Sequence, residues 1–591
     1  MIVQQLHSIQ ERCGYLPRGE LLALADRIDC PLYRIEEVVS FFPHFRKEPP
    51  PPIQVRICRD MACRLRGSDQ LVEAFSKKQG WSVCEVSCLG RCDRAPAVVV
   101  ETANLGHGHA EELLLAPADQ KRLAALLAEL GQGKKPASDS DAAYNPEEHK
   151  KWQIDCYQGK INTEERYQTI RRFLLLNKEE DRTKFRDDVV KALETANLLG
   201  MGGAGGRAYK KWSEVRKEHS EKKYVVCNGD ESEPGTFKDR ELLLRTPHLI
   251  VEAVILGGLI TGAQRGFIYI RHEFHEQIAA VRAEIARAER AGVCGKNMSG
   301  SDFSFDLEVF VSPGGYICGE QTALIEAIED KRGEPRNRPP ELQTNGLWNC
   351  PTLLNNVETL AWVPAIVERE SGQWYASAGA TSDFKGRRFF SVSGDVARPG
   401  PYEVPIGITL GELIDDYCGG MARGRKLKAV ALSGPSGGFL PAEVPVEFVS
   451  ASLKKEMGTK THYNLREARL DIALFRSLKW MMGAGMIVYA DDADLVQQAF
   501  ACTTFYRYES CGKCVPCRVG SQKLLDVITM LYERKLTAAD LLQLTAANGE
   551  VAELSQTMIL TAICGLGTVA ANPLTTLLKY FPADVAAYLK G

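Results

Sequence analysis

Two sets of four cysteines constrain this chain more than any other feature in it. In "ESCGKCVPCR", Cys511, Cys514 and Cys517 stand with two residues between neighbours, and Cys564 in "AICGLG" follows after 46 intervening residues. Three thiolates in one tight turn and a fourth from a distance suit a cubane 4Fe–4S cluster, whereas a zinc ribbon uses two separate Cys-x-x-Cys pairs. Nearer the N-terminus, Cys58 and Cys63 are separated by four residues and Cys88 and Cys92 by three, each pair in the turn after an expected strand. Two loops can therefore bring four sulfurs together, in a histidine-free set that is compatible with zinc or an iron–sulfur cluster.

The other ten cysteines, Cys13, Cys30, Cys84, Cys156, Cys227, Cys294, Cys318, Cys350, Cys418 and Cys502, have no such spacing and read as packing residues. The first residues, "MIVQQLHSIQERCGYLP", lack the basic start, apolar core and small-residue cleavage site of a secretory signal. Eighteen cysteines in that setting point to metal or redox chemistry and away from a disulfide framework.

A chain of 591 residues is too long for one core and predicts three to five domains. A net charge of −3 with 25% charged residues is the balance of an ordinary soluble globular protein and gives no basic surface for nucleic acid. The longest apolar stretch, "LIVEAVILGGLITGA" at 249–263, contains Glu252 and falls short of the ~20 residues a membrane span needs, so it predicts a buried helix. Membrane association would come through a partner.

Residues 1–48 read as short amphipathic helices stopped by proline, ending at "KEPPPP". Strand-like runs then alternate with the helix "SDQLVEAFSKKQ" and the strand "AVVVET", as in a small α/β sandwich reaching about residue 130. "GQGKKPASDSDAAYNPEEHKK" reads as a linker, a large α/β segment follows to about 380, and "RRFFSVSGDVARPGPYEVPIGITLGELIDDYCGG" reads as a compact β-rich module. Beyond "MIVYADDADL" the pattern is helical apart from the cysteines.

In the α/β segment, "GMGGAGGRAYKKW" places glycines at 200, 202, 203, 205 and 206 just after a helix, where backbone N–H groups can approach an anion and Lys210 or Lys211 can supply charge. "VVCNGDESEPGTFKDR" then runs a strand into a turn holding Asn228, Asp230, Glu231 and Glu233, side chains suited to a polyhydroxyl chain or a heteroaromatic edge. A flavin between a two-electron hydride donor and one-electron clusters would make chemical sense of the combination.

These stretches, with "YICGEQTALIEAIEDKRGEPR", "NNVETL" and "ESCGKCVPCR", resemble the NADH-binding flavoprotein subunit of respiratory complex I and the diaphorase subunits of NAD-reducing hydrogenases and formate dehydrogenases. The first 130 residues resemble the thioredoxin-like 2Fe–2S subunit of the same systems. The resemblance implies a multidomain α/β architecture: a helical hairpin and thioredoxin-like 2Fe–2S domain at 1–130, a linker at 131–160, an FMN-binding α/β domain at 161–382, a ubiquitin-like β-grasp (SLBB-like) domain at 383–450, a connector at 451–494, and a helical bundle with the 4Fe–4S cluster at 495–591.

By similarity, FMN falls to Gly202, Gly203, Lys211, Asn228, Asp230, Glu231, Tyr316, Gly319, Glu320, Asn355, Asn356 and Thr359, and Glu233 matches the carboxylate beside the nicotinamide. Cys58, Cys63, Cys88 and Cys92 match the 2Fe–2S ligands, and Cys511, Cys514, Cys517 and Cys564 the 4Fe–4S ligands. The 24 residues between Cys63 and Cys88 are fewer than the family leads one to expect, which predicts that part of the intervening helix and strand is trimmed.

The departures fall on one function. Met201 stands where relatives carry arginine, Gly206 and Arg207 replace a Phe-Pro pair, and Glu214 and Glu341 occupy the region of the family's adenine-sandwiching aromatics. Gln321 replaces a glutamate and His272 a glycine, while Gly206, Gln321 and Arg338 remain the expected dinucleotide contacts. Each lost stacking contact is worth ~1–3 kcal/mol. Three readings follow: a diaphorase that joins NAD(H) to partner redox subunits through FMN and two clusters, a relative that has lost NADH and exchanges electrons with a protein or another carrier, and a scaffold with structural zinc.

Overall fold

The computed structural model describes residues 1–77, 80–102, 111–144, 149, 151–157, 165–203, 205–379 and 385–590. Three helices open the chain, Ile2–Cys13, Arg18–Arg27 and Leu32–Phe41. They bury Val3, Leu6, Leu24, Ile35 and Val38 in a core shared with Phe310, Ile317 and Leu324 of the later α/β segment. A four-stranded sheet follows in the order β2 (Ser82–Val86), β1 (Ile53–Cys58), β3 (Val98–Thr102), β4 (Glu111–Leu115), with β1 parallel to β2 and antiparallel to β3. The helix Ser68–Ser76 and strand β2 both lie between Cys63 and Cys88, so any trimming of that stretch leaves both elements in place.

The stretch expected to be a linker is anchored at several of its described residues. Asp141 is buried and pairs with Arg91 (2.7 Å) and Arg94, Gln153 N–H and Ile154 N–H donate to Glu403, and Tyr157 O–H donates to Glu252 (2.8 Å). Its polar composition therefore serves ion pairs at the joint between lobes, a role that composition alone does not separate from solvation.

The central α/β segment holds a wholly parallel sheet, β7 (Asp306–Ser312), β6 (Arg265–Arg271), β5 (Tyr224–Gly229), β8 (Thr352–Asn356). Parallel strands buried on both faces require apolar helices as cover, and Pro247–Thr261, buried along its whole length, supplies one. Gly258 lets it lie close: a Cβ there would stand 2.4 Å from the Phe305 ring.

The third sheet runs β10 (Gly400–Pro405), β9 (Arg387–Gly394), β15 (Gly485–Ala490), β11 (Leu427–Leu432), β12 (Leu440–Pro441), beside a small ribbon of β13 (Glu443–Pro445) and β14 (His462–Asn464). The middle strand, parallel to β9 and antiparallel to β11, comes from residues expected to be a connector, so the β-rich module does not close at residue 450. The break in the sequence pattern there reflects an excursion through the helices Ala451–Met457 and Ile472–Ser477 before the chain returns to the sheet. Helices from Leu495–Glu509 to Pro582–Ala586 complete the fold. Among the described residues, no single helix is long and apolar enough to cross a membrane.

Candidate functional site: a flavin pocket between two cysteine clusters

Cys58 ends β1, Cys63 lies in the helix Met61–Leu65, Cys88 follows β2, and Cys92 opens the turn Cys92–Arg94. All four are buried. The Cys88 and Cys92 sulfurs are 3.4 Å apart, and the Cys58 thiol is hydrogen-bonded to both Cys63 and Cys88. Hydrogen bonds from Cys58 and Cys92 pull the Cys88 thiol down, while hydrogen bonding to its neighbours and burial push Cys58 and Cys92 up. Sulfur-only donors crowded in this way fit a 2Fe–2S cluster.

Cys511, Cys514, Cys517 and Cys564 line one pocket, walled by Ile317, Ile563 and Leu566. Four sulfurs around a space with apolar walls fit a cubane cluster. Among the described residues, no group of three or more Cys, His, Asp or Glu side chains is gathered around a single metal-ion position. Sulfurs that share a multi-iron cluster surround a larger volume than four ligands on one ion at about 2.3 Å.

The flavin residues collect at the carboxyl ends of the parallel strands, where open α/β sheets bind ligands. Asn228 donates to Gly319 O (2.9 Å), and Asp230 accepts from Ser312 (3.0 Å) and Ser232. Asn356 donates to Asp239 (2.7 Å), Asn355 accepts from Trp212 (3.2 Å), and Thr359 accepts the Met201 N–H (2.8 Å) and so fixes the glycine loop. A Cβ on Gly202 would meet Asn356 Cβ at 3.2 Å, and one on Gly319 would meet Asp230 O at 3.1 Å, so a side chain at either position would crowd this cradle.

Lys211 is turned inward with its ammonium 3.2 Å from Gln321 Oε1 and 3.4 Å from Leu354 O, and burial lowers its pKa. Lys210 is exposed. A desolvated lysine beside a glycine cradle fits a phosphate. Burial raises Asp230 and Glu233 to about 7.

Two expected flavin ligands have their carboxylates engaged elsewhere. Glu231 accepts the Asp239 and Arg240 N–H groups at the start of helix Lys238–Arg245, at 2.9 and 3.0 Å. Glu320 caps the helix Gln321–Ile328 through the Thr322 and Ala323 N–H groups and pairs with Arg338 at 2.6 Å. An acid that can reach a helix start, from the cap position as Glu320 does or from an adjoining turn as Glu231 does, is drawn to the unpaired N–H groups there, a competition that a motif does not reveal.

At the expected adenine slot, Gln343 donates to Glu214 (3.0 Å), and Arg338 lies 4.0 Å from Glu341 while bound to Glu320. Gly206 is exposed, with open space where a side chain would project. His272 is buried against His44, ring centroids 3.9 Å apart, in a stack that continues to His7.

Sequence reasoning missed two groups. Ser436, in the turn between β11 and β12, donates to Glu233 and accepts from Tyr506 O–H (3.0 Å). Glu509, in the "ESCGKC" motif itself, accepts from Ser87 O–H (2.5 Å) and from Tyr316 N–H (2.8 Å). No periodicity signals these contacts, because each partner lies far away in the chain.

Glycine cradle, buried lysine and two all-cysteine sites define a flavin and iron–sulfur electron-transfer protein. Residues 193–365 match the Nuo51 FMN-binding domain, 1–115 the thioredoxin-like [2Fe-2S] ferredoxin, 497–588 the NADH-ubiquinone oxidoreductase-F iron-sulfur binding region and 389–440 the SLBB domain. The chain is 37% identical to the NADH-quinone oxidoreductase-F protein of Aquifex aeolicus over 68% of this chain and 86% of that protein. It is also 37% identical to the NADP-reducing hydrogenase subunit HndC of Solidesulfovibrio fructosivorans over 68% of this chain and 76% of that one. A solved NAD+-reducing [NiFe]-hydrogenase in the air-oxidized state superposes with a TM-score of 0.76 at 27% identity, covering 100% of this chain and 93% of that one. The chain belongs to the NADH-quinone oxidoreductase-F family, with a thioredoxin-like 2Fe–2S region fused ahead of the flavoprotein, and its cofactors are FMN, a 2Fe–2S and a 4Fe–4S cluster.

Proposed function

We propose that this chain is the diaphorase-type electron-input subunit of a larger redox assembly, passing electrons between NAD(H) and partner subunits of a hydrogenase, formate dehydrogenase or complex I-like enzyme. One observation carries the reading: the loop from Glu233 to Phe237 at the flavin pocket packs on the N-terminal cluster, with Gly235 N–H donating to Cys92 Sγ at 3.3 Å. FMN supplies the conversion between hydride and single-electron transfer when bound. Lys211 and the glycine loop would hold its phosphate, Asn228, Asp230, Asn355 and Asn356 its remaining polar groups, with Glu231 and Glu320 bracing the pocket through the helices they cap. Glu233, poised at about 7, would face the nicotinamide under the control of Ser436. The division at 1–130, 161–382 and 495–591 fits these roles, with the β-rich module extended to residue 490. We place the protein in the cytoplasm, membrane-associated only through partners.

A second reading, that the nucleotide has been given up, is favoured by Gln343 and Arg338, which fill the adenine slot with internal contacts. Anaerobic titration with NADH, and separately NADPH, separates the two. Bleaching of flavin and cluster absorbance at micromolar NADH supports the diaphorase. Bleaching by dithionite but not by millimolar NADH refutes it and favours the second reading.

A further inference from the structure

Glu509 joins three segments that no sequence pattern connects. Ser87, immediately before the ligand Cys88, donates to one carboxylate oxygen, and Tyr316 N–H, at the flavin pocket, donates to the other. Ser510, the next residue, lies with its Oγ 3.2 Å from Cys517 Sγ, and Cys511 follows it. Both carboxylate oxygens are thus engaged by donors from different lobes.

The helix Leu495–Glu509 that carries it is held along its length. Arg59 lies over the Tyr508 ring at 4.4 Å, Arg64 over Phe500 at 5.6 Å, Gln497 donates to Asp69 at 3.1 Å, and Phe505 packs on Tyr316 with centroids 5.0 Å apart. Arg59, Arg64 and Asp69 all belong to the N-terminal lobe near Cys58 and Cys63.

We propose that Glu509 is a positioning residue that fixes both cluster loops and the flavin loop in one register and, through its charge, sets the reduction potentials of the two clusters together; this rests on both cysteine sets carrying iron–sulfur clusters. A cluster's potential responds to nearby charge and hydrogen bonding. A half-buried anion is weakly screened, so it favours the more positive, oxidised state of whichever cluster it stands beside. Glu509 contacts the residue before Cys88 and stands two residues before Cys511.

The test is an EPR-monitored redox titration of the full chain with its flavin and clusters loaded, comparing wild type with Glu509→Gln, Glu509→Ala and the exposed control Glu553→Gln. The Gln variant keeps the shape and one accepting oxygen, and both cluster potentials are expected to move in the positive direction together. The control carries the same change of net charge and is expected to move neither. In the Ala variant the same shift should come with weaker flavin retention, because Tyr316 N–H loses its anchor. A shift of one cluster's potential alone, or of neither, in Glu509→Gln overturns the proposal. A wild-type protein without iron and without either signal sinks the cluster reading beneath it, a distinct outcome. If Glu509→Ala does not assemble, Glu509→Gln decides alone.

Discussion

Arg240 is where the cysteine lobe is fastened to the flavin lobe, and Arg240→Ala tests that directly. The guanidinium is wholly buried, binds Asp93 through both terminal nitrogens at 3.0 and 2.8 Å, touches Glu241 at 2.9 Å and donates to Gly90 O at 2.6 Å. Gly90 lies between Cys88 and Cys92, and Asp93 follows Cys92. Without Arg240, Glu241 keeps Arg245 at 3.4 Å, but among the described residues Asp93 keeps as cationic partner only Arg94 at 3.9 Å, and the Gly90 carbonyl loses the Arg240 donor. Removing one partner of a buried pair costs about 3–5 kcal/mol. At ~1.4 kcal/mol per decade, docking of the lobe weakens by roughly two to three and a half orders of magnitude. Arg240→Lys keeps the charge without the fork and falls between the two. The double variant Arg240→Ala with Asp93→Ala should lose less than Arg240→Ala alone, since the stranded charge goes with its partner. Urea unfolding followed by near-ultraviolet circular dichroism and by cluster absorbance reads the cost, with the cluster-lobe transition moving to lower urea. An Arg240→Ala protein within about 1 kcal/mol of wild type would refute the argument that this pair fastens the lobes.

Other outcomes can be checked on the same material. Ser436→Ala removes a hydrogen bond that favours ionised Glu233, worth about 1.5–3 kcal/mol at a charged acceptor, or roughly 1–2 pK units. The limb near pH 7 in NADH-driven bleaching should move upward by that amount, and an unmoved limb would detach Ser436 from Glu233. Because burial already raises Glu233 from 4.5 to about 7, its burden on stability sets in as pH rises through that window, and in Ser436→Ala it grows up to a higher pH. Cys564→Ala should remove the 4Fe–4S signal and leave the 2Fe–2S signal in place; loss of both signals would contradict separate sites. Gly206→Phe with Glu341→Phe should tighten NADH by roughly tenfold or more, at ~1–3 kcal/mol per stacking contact, as read by titration of flavin absorbance.

Spacing made the cysteine sites legible, because ligand geometry is written locally in Cys-x-x-Cys and in paired turns after strands. The buried helix at Pro247–Thr261 was legible for a similar reason, an apolar run too short for a bilayer. Glu231 and Glu320 were harder, since an acid at a pocket and an acid at a helix start look the same in a motif. Asp141 sits in a segment of linker composition, yet two arginines more than forty residues away make it part of the lobe joint. The closure of the β-rich module was hidden by an excursion between its outer strands and its middle one.

That excursion has a consequence for synthesis. β15 is the last strand of its sheet to leave the ribosome and the one that separates β9 from β11. Until it arrives, both neighbours present rows of unpaired backbone groups, the condition that invites pairing between chains. The same strand steadies a landing surface, since Ala490 N–H donates to Asp395 at 2.9 Å while Arg66 of the N-terminal lobe reaches Gly394 O at 2.7 Å. The lobe made first therefore acquires this dock only after residue 490 has emerged, and a fragment that ends at 450 would be left with two open sheet edges.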